Sequence, residues 1–117
     1  MIEKSSLDNF IGTENWFKHW TGLITYTDGI KYLAEETKSY WLIDLVASYQ
    51  IKQKIREIPF QLWTIKVNLK EKTGIVTMKE DSDQPNIISQ KLPYTDFPIE
   101  ELQFYLCDGV ILLKTEY

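Results

Sequence analysis

The chain has 117 residues, of which 44% are hydrophobic and 26% are charged, as is typical of one folded domain and not of a disordered segment. The net charge is −4 and Arg56 is the single arginine, so the composition disfavours direct, sequence-specific binding of DNA or RNA, which relies on the guanidinium group. One cysteine, Cys107, excludes an internal disulfide, and the sequence offers no thiolate-rich metal spacing, leader or membrane-spanning run. We expect a cytoplasmic protein without cofactor, metal or membrane association.

The N-terminal half of the chain is predicted to be helical. Thr13 is expected to cap a short helix that continues to about Trp20, followed by a break at Gly22. A second helix is expected to begin at Thr27, as cap, and to run through residues 30–36.

A third and longer helix is predicted from Tyr40 to about Arg56, with Ser39 as its cap. Its first three turns are apolar on nearly every side, which is typical of a helix buried between other elements. Asp44 is the only charge in that stretch, so the carboxylate is expected either in a structural hydrogen bond or on a narrow solvated stripe. The other members of that stripe would be Tyr40, Ser48 and Lys52.

The pattern changes near Pro59, after which apolar and polar residues alternate as in β-strands. Asp108-Gly109 between two apolar runs predicts a tight hairpin. Strands are expected at 61–69, 75–79, 87–92, 102–107 and 110–114. The prediction is therefore an α+β fold in one domain, 1–117, with N-terminal helices (about 5–57) on one face of a C-terminal antiparallel sheet (about 60–115) of about four to five strands.

Aromatic residues are crowded into the first half of the chain. All four tryptophans, the only histidine and 11 of the 16 aromatic residues lie within the first 63 positions. On the predicted first helix, Trp16 and Trp20 would share a face and Phe17 would project about 100° away. Two interpretations stay open: all three side chains pack in the core, or one aromatic face is exposed and anchors a partner.

Catalytic candidates are few. His19 is suited to acid–base chemistry, and Asp44 or Glu14 would orient it, but the sequence names no nucleophile or metal to complete such a site. The alternative is a partly buried histidine with a structural hydrogen bond. Cys107, beside Asp108, is expected to be a small apolar strand residue instead of a reactive thiol.

Two acidic segments are expected to be exposed. Glu80, Asp81 and Asp83 lie in a polar loop whose carboxylates lack the dense spacing of a calcium loop, so a solvated turn is expected. Glu100 and Glu101 form a second acidic pair. Either segment would favour a basic partner, because opposite potentials steer encounter.

Five sequence blocks carry a resemblance to a small bacterial family that is found on plasmids, integrative elements and phages and is described only as a domain of unknown function. The blocks are Phe10-x-Gly12-Thr13-Glu14-x-x-x-x-His19-Trp20, Tyr26-Thr27-Asp28-Gly29-x-Lys31-Tyr32-Leu33-Ala34-Glu35, Tyr40-Trp41-Leu42-x-Asp44-Leu45-x-Ala47-Ser48, Tyr94-Thr95-Asp96-Phe97-Pro98 and Asp108-Gly109-Val110-x-Leu112-Leu113. Together they span almost the whole chain. The resemblance implies a mobile-element context, but no reaction and no catalytic residues.

The functional hypothesis is a non-enzymatic protein-binding module from a mobile element or phage. By analogy with small acidic anti-CRISPR proteins, its partner would be a host protein, specifically a CRISPR–Cas effector with or without its guide RNA, inhibited by occlusion or misdirected nucleic-acid binding. The candidate partner-binding residues are Trp16, Phe17, His19, Trp20, Glu80, Asp81, Asp83, Glu100 and Glu101.

Two alternatives belong to other classes. One is a small enzyme that uses His19 and Asp44. The other is a homo-oligomeric accessory protein of plasmid maintenance that pairs through an edge strand such as Val110 to Lys114.

Overall fold

The structure, a computed structural model, describes Leu7 and residues 15–117. In this part of the chain, helices cover one face of a single seven-stranded sheet with the strand order β1-β2-β7-β6-β3-β4-β5. The elements in chain order are β1 Trp16–Lys18, β2 Thr25–Thr27, α1 Asp28–Thr37, α2 Tyr40–Tyr49, α3 Gln53–Arg56, β3 Phe60–Asn68, β4 Thr73–Lys79, β5 Ile88–Leu92, β6 Glu101–Cys107, β7 Val110–Leu113 and a 3₁₀ turn Lys114–Glu116. Every strand pair is antiparallel except β2 with β7, which is parallel.

The mixed α and β architecture agrees with the sequence prediction, but the sheet is larger than expected. It has more strands than the four to five predicted, because β1 and β2 precede the helices and extend the sheet beyond β7. The helices are therefore not all N-terminal to the sheet. Thr25 and Tyr26 lie beside Val110 and Ile111 in the parallel register.

The predicted first helix is wrong. Trp16–Lys18 forms a strand, with Phe17 opposite Tyr26 and their rings 5.6 Å apart. Aromatic side chains suit strands, and pairing with β2 supplies the partner that a short isolated helix would lack. The proposed cap, Thr13, lies outside the described residues.

The second helix is confirmed by α1. Thr27 caps it, because its Oγ1 accepts a hydrogen bond from the backbone N–H of Ile30 at 3.4 Å. Lys38 ends the helix in the left-handed conformation, at φ 54°.

The third helix is shorter than predicted. It ends at Tyr49, Lys52 is extended at ψ 121°, and a separate turn of helix, α3, follows. Ser39 precedes α2 but makes no side-chain capping bond to it. The physical reason for the break is Gln50, whose side chain is buried and bonded to Gln61 of β3, so the chain is held to the sheet where the helix would have continued.

The core lies between the helices and one face of the sheet. Trp63, Ile65 and Val67 alternate along β3 and are all buried, as predicted, whereas Leu69 is exposed because β3 ends at Asn68. Residues of the helices that line this core include Ile30, Leu33, Ala34, Leu42, Ile43 and Val46.

The β6–β7 hairpin is confirmed. Asp108 and Gly109 have φ values of 49° and 83°, and two positive φ values are characteristic of a type I′ turn. However, β7 pairs with β6 on one side and β2 on the other. Val110 and Ile111 are therefore paired on both sides and do not form the free edge that the oligomer hypothesis assigned to Val110–Lys114. In the described part of the chain the edge strands are β1 and β5.

The opposite face of the sheet, which we call the open face, carries neither α1 nor α2. It presents the alternate residues of each strand, among them Lys66, Tyr105 and Leu112. Within the described residues, no helix is both long and apolar enough to cross a lipid bilayer.

Candidate functional site

The loop between β1 and β2 positions the candidate residues His19 and Trp20. The loop is closed by the backbone N–H of His19, which donates to the carbonyl of Ile24 at 3.0 Å. Gly22 donates to the carbonyl of His19 at 2.9 Å and adopts φ 77°, a conformation that favours glycine. Gly22 therefore shapes a hairpin loop instead of ending a helix.

His19 joins this loop to α2. The residue is 5% exposed, and its Nε2 lies 2.7 Å from Oδ1 of Asp44. Its Nδ1 accepts the backbone N–H of Thr21 at 3.2 Å and lies 2.8 Å from the Thr21 hydroxyl. These contacts assign the ring proton to Nε2, which donates to Asp44. With both nitrogens engaged, the arrangement is that of a tether between the hairpin and the helix.

Asp44 also contacts Trp20. The Trp20 Nε1–H donates to the same Oδ1 at 3.4 Å, and the Trp20 ring centroid lies 5.3 Å from that of His19. Trp20 is nevertheless 83% exposed, and the Asp44 side chain is 55% exposed. Both sequence expectations for Asp44 are met, since it makes a structural hydrogen bond and lies on an exposed stripe. The other exposed members of the stripe are Tyr40, Ser48 and Lys52.

Tyr26 of β2, Glu35 of α1 and Tyr40 of α2 extend this surface. The Tyr40 hydroxyl donates to Oε1 of Glu35 at 3.1 Å, and burial together with Glu35 raises the pKa of Tyr40 to about 12. The pKa of Tyr26 is raised by burial and then by Glu35 and Asp44. Glu35 therefore acts on both phenols and Asp44 on Tyr26, while Lys31 Nζ lies 3.8 Å from Oε1 of Glu35. We call this surface the hairpin patch; it consists of His19, Trp20, Tyr26, Glu35, Tyr40 and Asp44.

The candidate aromatic residues do not act as one group. The pleat of β1 directs Phe17 to the helical side, where it is half-buried and the Lys31 Nζ lies 4.4 Å from its ring centroid. Trp16 projects from the other face of the sheet and is 58% exposed. Of the two sequence interpretations, exposure is correct for Trp16 and Trp20, and partial burial is correct for Phe17.

The structure does not bring the predicted acidic residues to this patch. Glu80, Asp81 and Asp83 are exposed in the loop after β4, five strand positions from β1, a separation of about 24 Å across the sheet. Glu101 begins β6 and its Oε1 lies 3.7 Å from Lys66 Nζ, while Glu100 lies beside it.

The carboxylates that do adjoin Trp20 and Tyr40 are Asp44 and Glu35, which sequence reasoning left out of the partner-binding set. Asp44 had a visible signal, as the lone charge on an apolar helix. Nothing in the sequence singled out Glu35, because its role depends on the contact of α1 with α2.

The described residues contain neither a cluster suited to a metal ion nor an activated thiol. No group of three or more His, Cys, Asp or Glu side chains in this part of the chain is arranged to hold a metal ion. Cys107 is half-buried in β6, and burial together with Asp108 raises the pKa of its thiol. A raised thiol pKa disfavours the nucleophilic thiolate.

Comparison with known proteins gives a family but no activity. The model of DUF6876, a family of unknown function, matches residues 1–117. The chain belongs to this family. No curated protein and no solved structure matches it. The DUF6876 match agrees with the expectation of a family without an assigned reaction, and the mobile-element context stays a prediction.

Proposed function

We propose that this DUF6876 protein is a non-enzymatic binding module that attaches to a basic surface of a host protein through the hairpin patch. The observation that carries the proposal is the position of Trp20, which is 83% exposed yet held in place by Asp44. Tryptophan and tyrosine are enriched among the residues that dominate binding energy at interfaces.

Trp20 is suited to act as an anchor on energetic grounds. A buried indole removes roughly 150–250 Å² from water, which corresponds to about 4–6 kcal/mol before the costs of association. Contacts with His19 and Asp44 already restrict the ring, so less rotational freedom is lost when a partner binds.

The charge of the patch defines the partner. Asp44 lies beside Trp20 and Glu35 beside Tyr40, Lys31 Nζ lies 3.8 Å from Oε1 of Glu35, and the chain carries a net charge of −4. Such a rim favours a surface rich in lysine and arginine, and it accelerates encounter at low ionic strength.

The proposed host partner is a nucleic-acid-guided defence effector of the CRISPR–Cas type, with or without its guide RNA. Such effectors hold nucleic acid in positively charged channels. An acidic module with an aromatic anchor would occlude a channel of this kind. The choice of effector rests on the implied mobile-element context, and the cytoplasm is where the encounter would take place.

The test compares Trp20→Ala with Tyr94→Ala, since Tyr94 is an exposed aromatic residue outside the hairpin patch. Tagged protein is used to capture a purified Cas effector, and the dissociation constant and inhibition of target cleavage are measured. We expect Trp20→Ala to weaken binding at least about tenfold and to reduce inhibition in parallel, as for a hot-spot residue. Tyr94→Ala should match the wild type.

Equal binding by both variants would contradict the role of the hairpin patch. A homodimer in light scattering, combined with no binding to any effector tested, would favour the oligomeric accessory protein. Full inhibition after charge reversal of Asp44 and Glu35 would refute the electrostatic part of the proposal.

A further inference from the structure

The open face of the sheet concentrates positive charge in a protein that is acidic overall. All four lysines that lie within the described strands project from this face. Glu101 is the one carboxylate within those strands, and its Oε1 lies 3.7 Å from the Nζ of Lys66. Lys66 of β3 and Lys91 of β5 lie directly opposite Ile75 of β4, one on each side of it. The other two strand lysines are Lys18 and Lys79.

Aromatic rings accompany these lysines. The ring centroids of Phe60 and Tyr105 are 4.9 Å apart, and Tyr117 lies 5.7 Å from the first and 5.2 Å from the second. Lys114 adds a fifth amino group, with its Nζ 5.9 Å from the Tyr105 ring centroid. Tyr117 is 71% exposed, so one ring of the cluster is available to a ligand.

A groove continues the open face at the end where β3 turns into β4. It has a volume of about 890 Å³, and Lys66, Lys70 and Lys91 contribute to its walls together with Leu92 and Pro93. Glu100 also lines the groove, which therefore combines three amino groups and one carboxylate with apolar surface.

We propose that the open face binds single-stranded nucleic acid without sequence preference. Lysines supply point charges for successive phosphates, and the Phe60, Tyr105 and Tyr117 cluster offers rings on which unpaired bases stack. A single strand fits better than a duplex, because the faces of paired bases are already stacked on one another. No arginine lies on this face, in keeping with the expectation that base edges are not read.

This inference does not depend on the hairpin patch, which lies on the helical side of the sheet. It also changes what the net charge implies. The acidic, arginine-poor composition disfavoured direct, sequence-specific binding of nucleic acid, but the fold places the strand lysines together on one face of the sheet and Asp44 and Glu35 on the other side.

The charge test measures binding of fluorescently labelled oligo(dT) and oligo(rU), each of about 12 nucleotides. Lys66→Gln/Lys91→Gln is compared with Lys52→Gln/Lys54→Gln, a pair of exposed lysines near α3 that removes the same charge. We expect the first pair to weaken binding at least about tenfold and to reduce the salt slope by about 1.4, as for two lost phosphate contacts. The second pair should stay within about twofold of the wild type.

The stacking test uses Tyr117, which is 71% exposed. Tyr117→Ala should weaken binding at least about fivefold, whereas Tyr117→Phe, which retains the ring, should bind as the wild type does. Trp20→Ala should leave oligonucleotide binding unchanged, so failure here and failure of the proposed function are distinguishable. Thermal melting of each variant checks that it is folded.

Several results would overturn the inference. Absence of wild-type binding at low salt would do so, as would equal losses in the two lysine pairs. Equally tight binding of a duplex of the same length would exclude a single-strand site. Competition by polyglutamate as effective as that by oligo(dT), with no effect of Tyr117→Ala, would identify the face as a dock for an acidic protein.

Discussion

At the scale of single residues, Asp44 determines the character of the hairpin patch. One carboxylate oxygen accepts from His19 at 2.7 Å and from Trp20 at 3.4 Å, while the side chain stays more than half exposed. A single residue therefore fixes the loop to α2, orients the exposed indole and presents negative charge beside it. These three effects follow from its position on the solvated stripe of α2.

The thiol of Cys107 gives a prediction at the same scale. Burial and, to a lesser degree, Asp108 raise its pKa above the usual 9.0, so the thiolate forms only at higher pH. We expect slow alkylation by iodoacetamide at neutral pH, measured by mass spectrometry. Asp108→Asn should accelerate it by about two- to fivefold, because the charge is removed while Asn tolerates the positive φ of the turn.

Asp83→Asn serves as the control, since Asp83 is exposed in the loop after β4 and should leave the rate unchanged. Identical rates for the wild type and Asp108→Asn would show that the neighbouring carboxylate does not influence the thiol.

At the scale of elements, a buried amide pair fixes the junction of α2, α3 and β3. Gln50 and Gln61 exchange two hydrogen bonds of 3.0 Å, and Gln61 also accepts from the Trp63 indole at 3.0 Å and donates to the carbonyl of Ile55 at 2.9 Å. Removal of one of these side chains leaves buried polar groups of the others without a hydrogen-bond partner, which destabilises the folded state.

Gln61→Leu should therefore lower the free energy of unfolding by about 2–4 kcal/mol, since it removes the hydrogen-bond partner of the Trp63 N–H and of the Gln50 Oε1. Urea denaturation followed by tryptophan fluorescence measures the change. Gln84→Leu, an exposed replacement of the same kind, should stay within about 0.5 kcal/mol of the wild type. Equal stability of the two variants would show that the network contributes nothing.

At the scale of the whole molecule, charge is distributed unevenly over the two sides of the sheet. The helical segment, residues 28–57, carries five acidic and five basic residues, whereas the described strands carry four lysines and one glutamate. The net charge of −4 therefore describes neither surface. The proposed protein partner and the inferred nucleic acid would contact different sides of the sheet.

The tyrosines of the hairpin patch are expected to make the stability of the folded state depend on pH in the alkaline range. The folded state raises the pKa of Tyr40 from 10.0 to about 12 and also raises that of Tyr26, so it holds these protons more tightly than the unfolded chain does. The stabilisation is complete below pH 10 and is lost as pH rises from about 10 to about 12. Thermal unfolding across this window should show a smaller decline in Tm for Tyr40→Phe than for the wild type. Tyr94→Phe, outside the patch, should decline as the wild type does.

Local signals account for the elements that were predicted correctly. The Thr27 cap begins α1, the alternation around Trp63 marks β3, and Asp108-Gly109 forms the tight turn of the last hairpin. Each of these signals acts within a few residues, which is why the sequence displays it. Leu69 continues the alternation in the sequence but is exposed, because the strand ends one residue before it.

Long-range contacts account for what was missed. Trp16–Lys18 becomes a strand through pairing with Thr25–Thr27, and α2 stops where Gln50 meets Gln61. In both cases the interacting residues are separated along the chain by more than one helical turn. Local propensity alone therefore could not decide these elements.

The sequence by itself determined the composition, the mixed helix and strand content, the family, and the suspicion that His19, Asp44 and the tryptophans matter. Only the tertiary structure decided which of them meet: it joined His19 to Asp44, exposed Trp20 beside Asp44, and separated Trp16 onto the other face. It also gathered the strand lysines on the open face. The reason is physical, because strand register and the packing of α2 on the sheet bring together side chains that are distant along the chain.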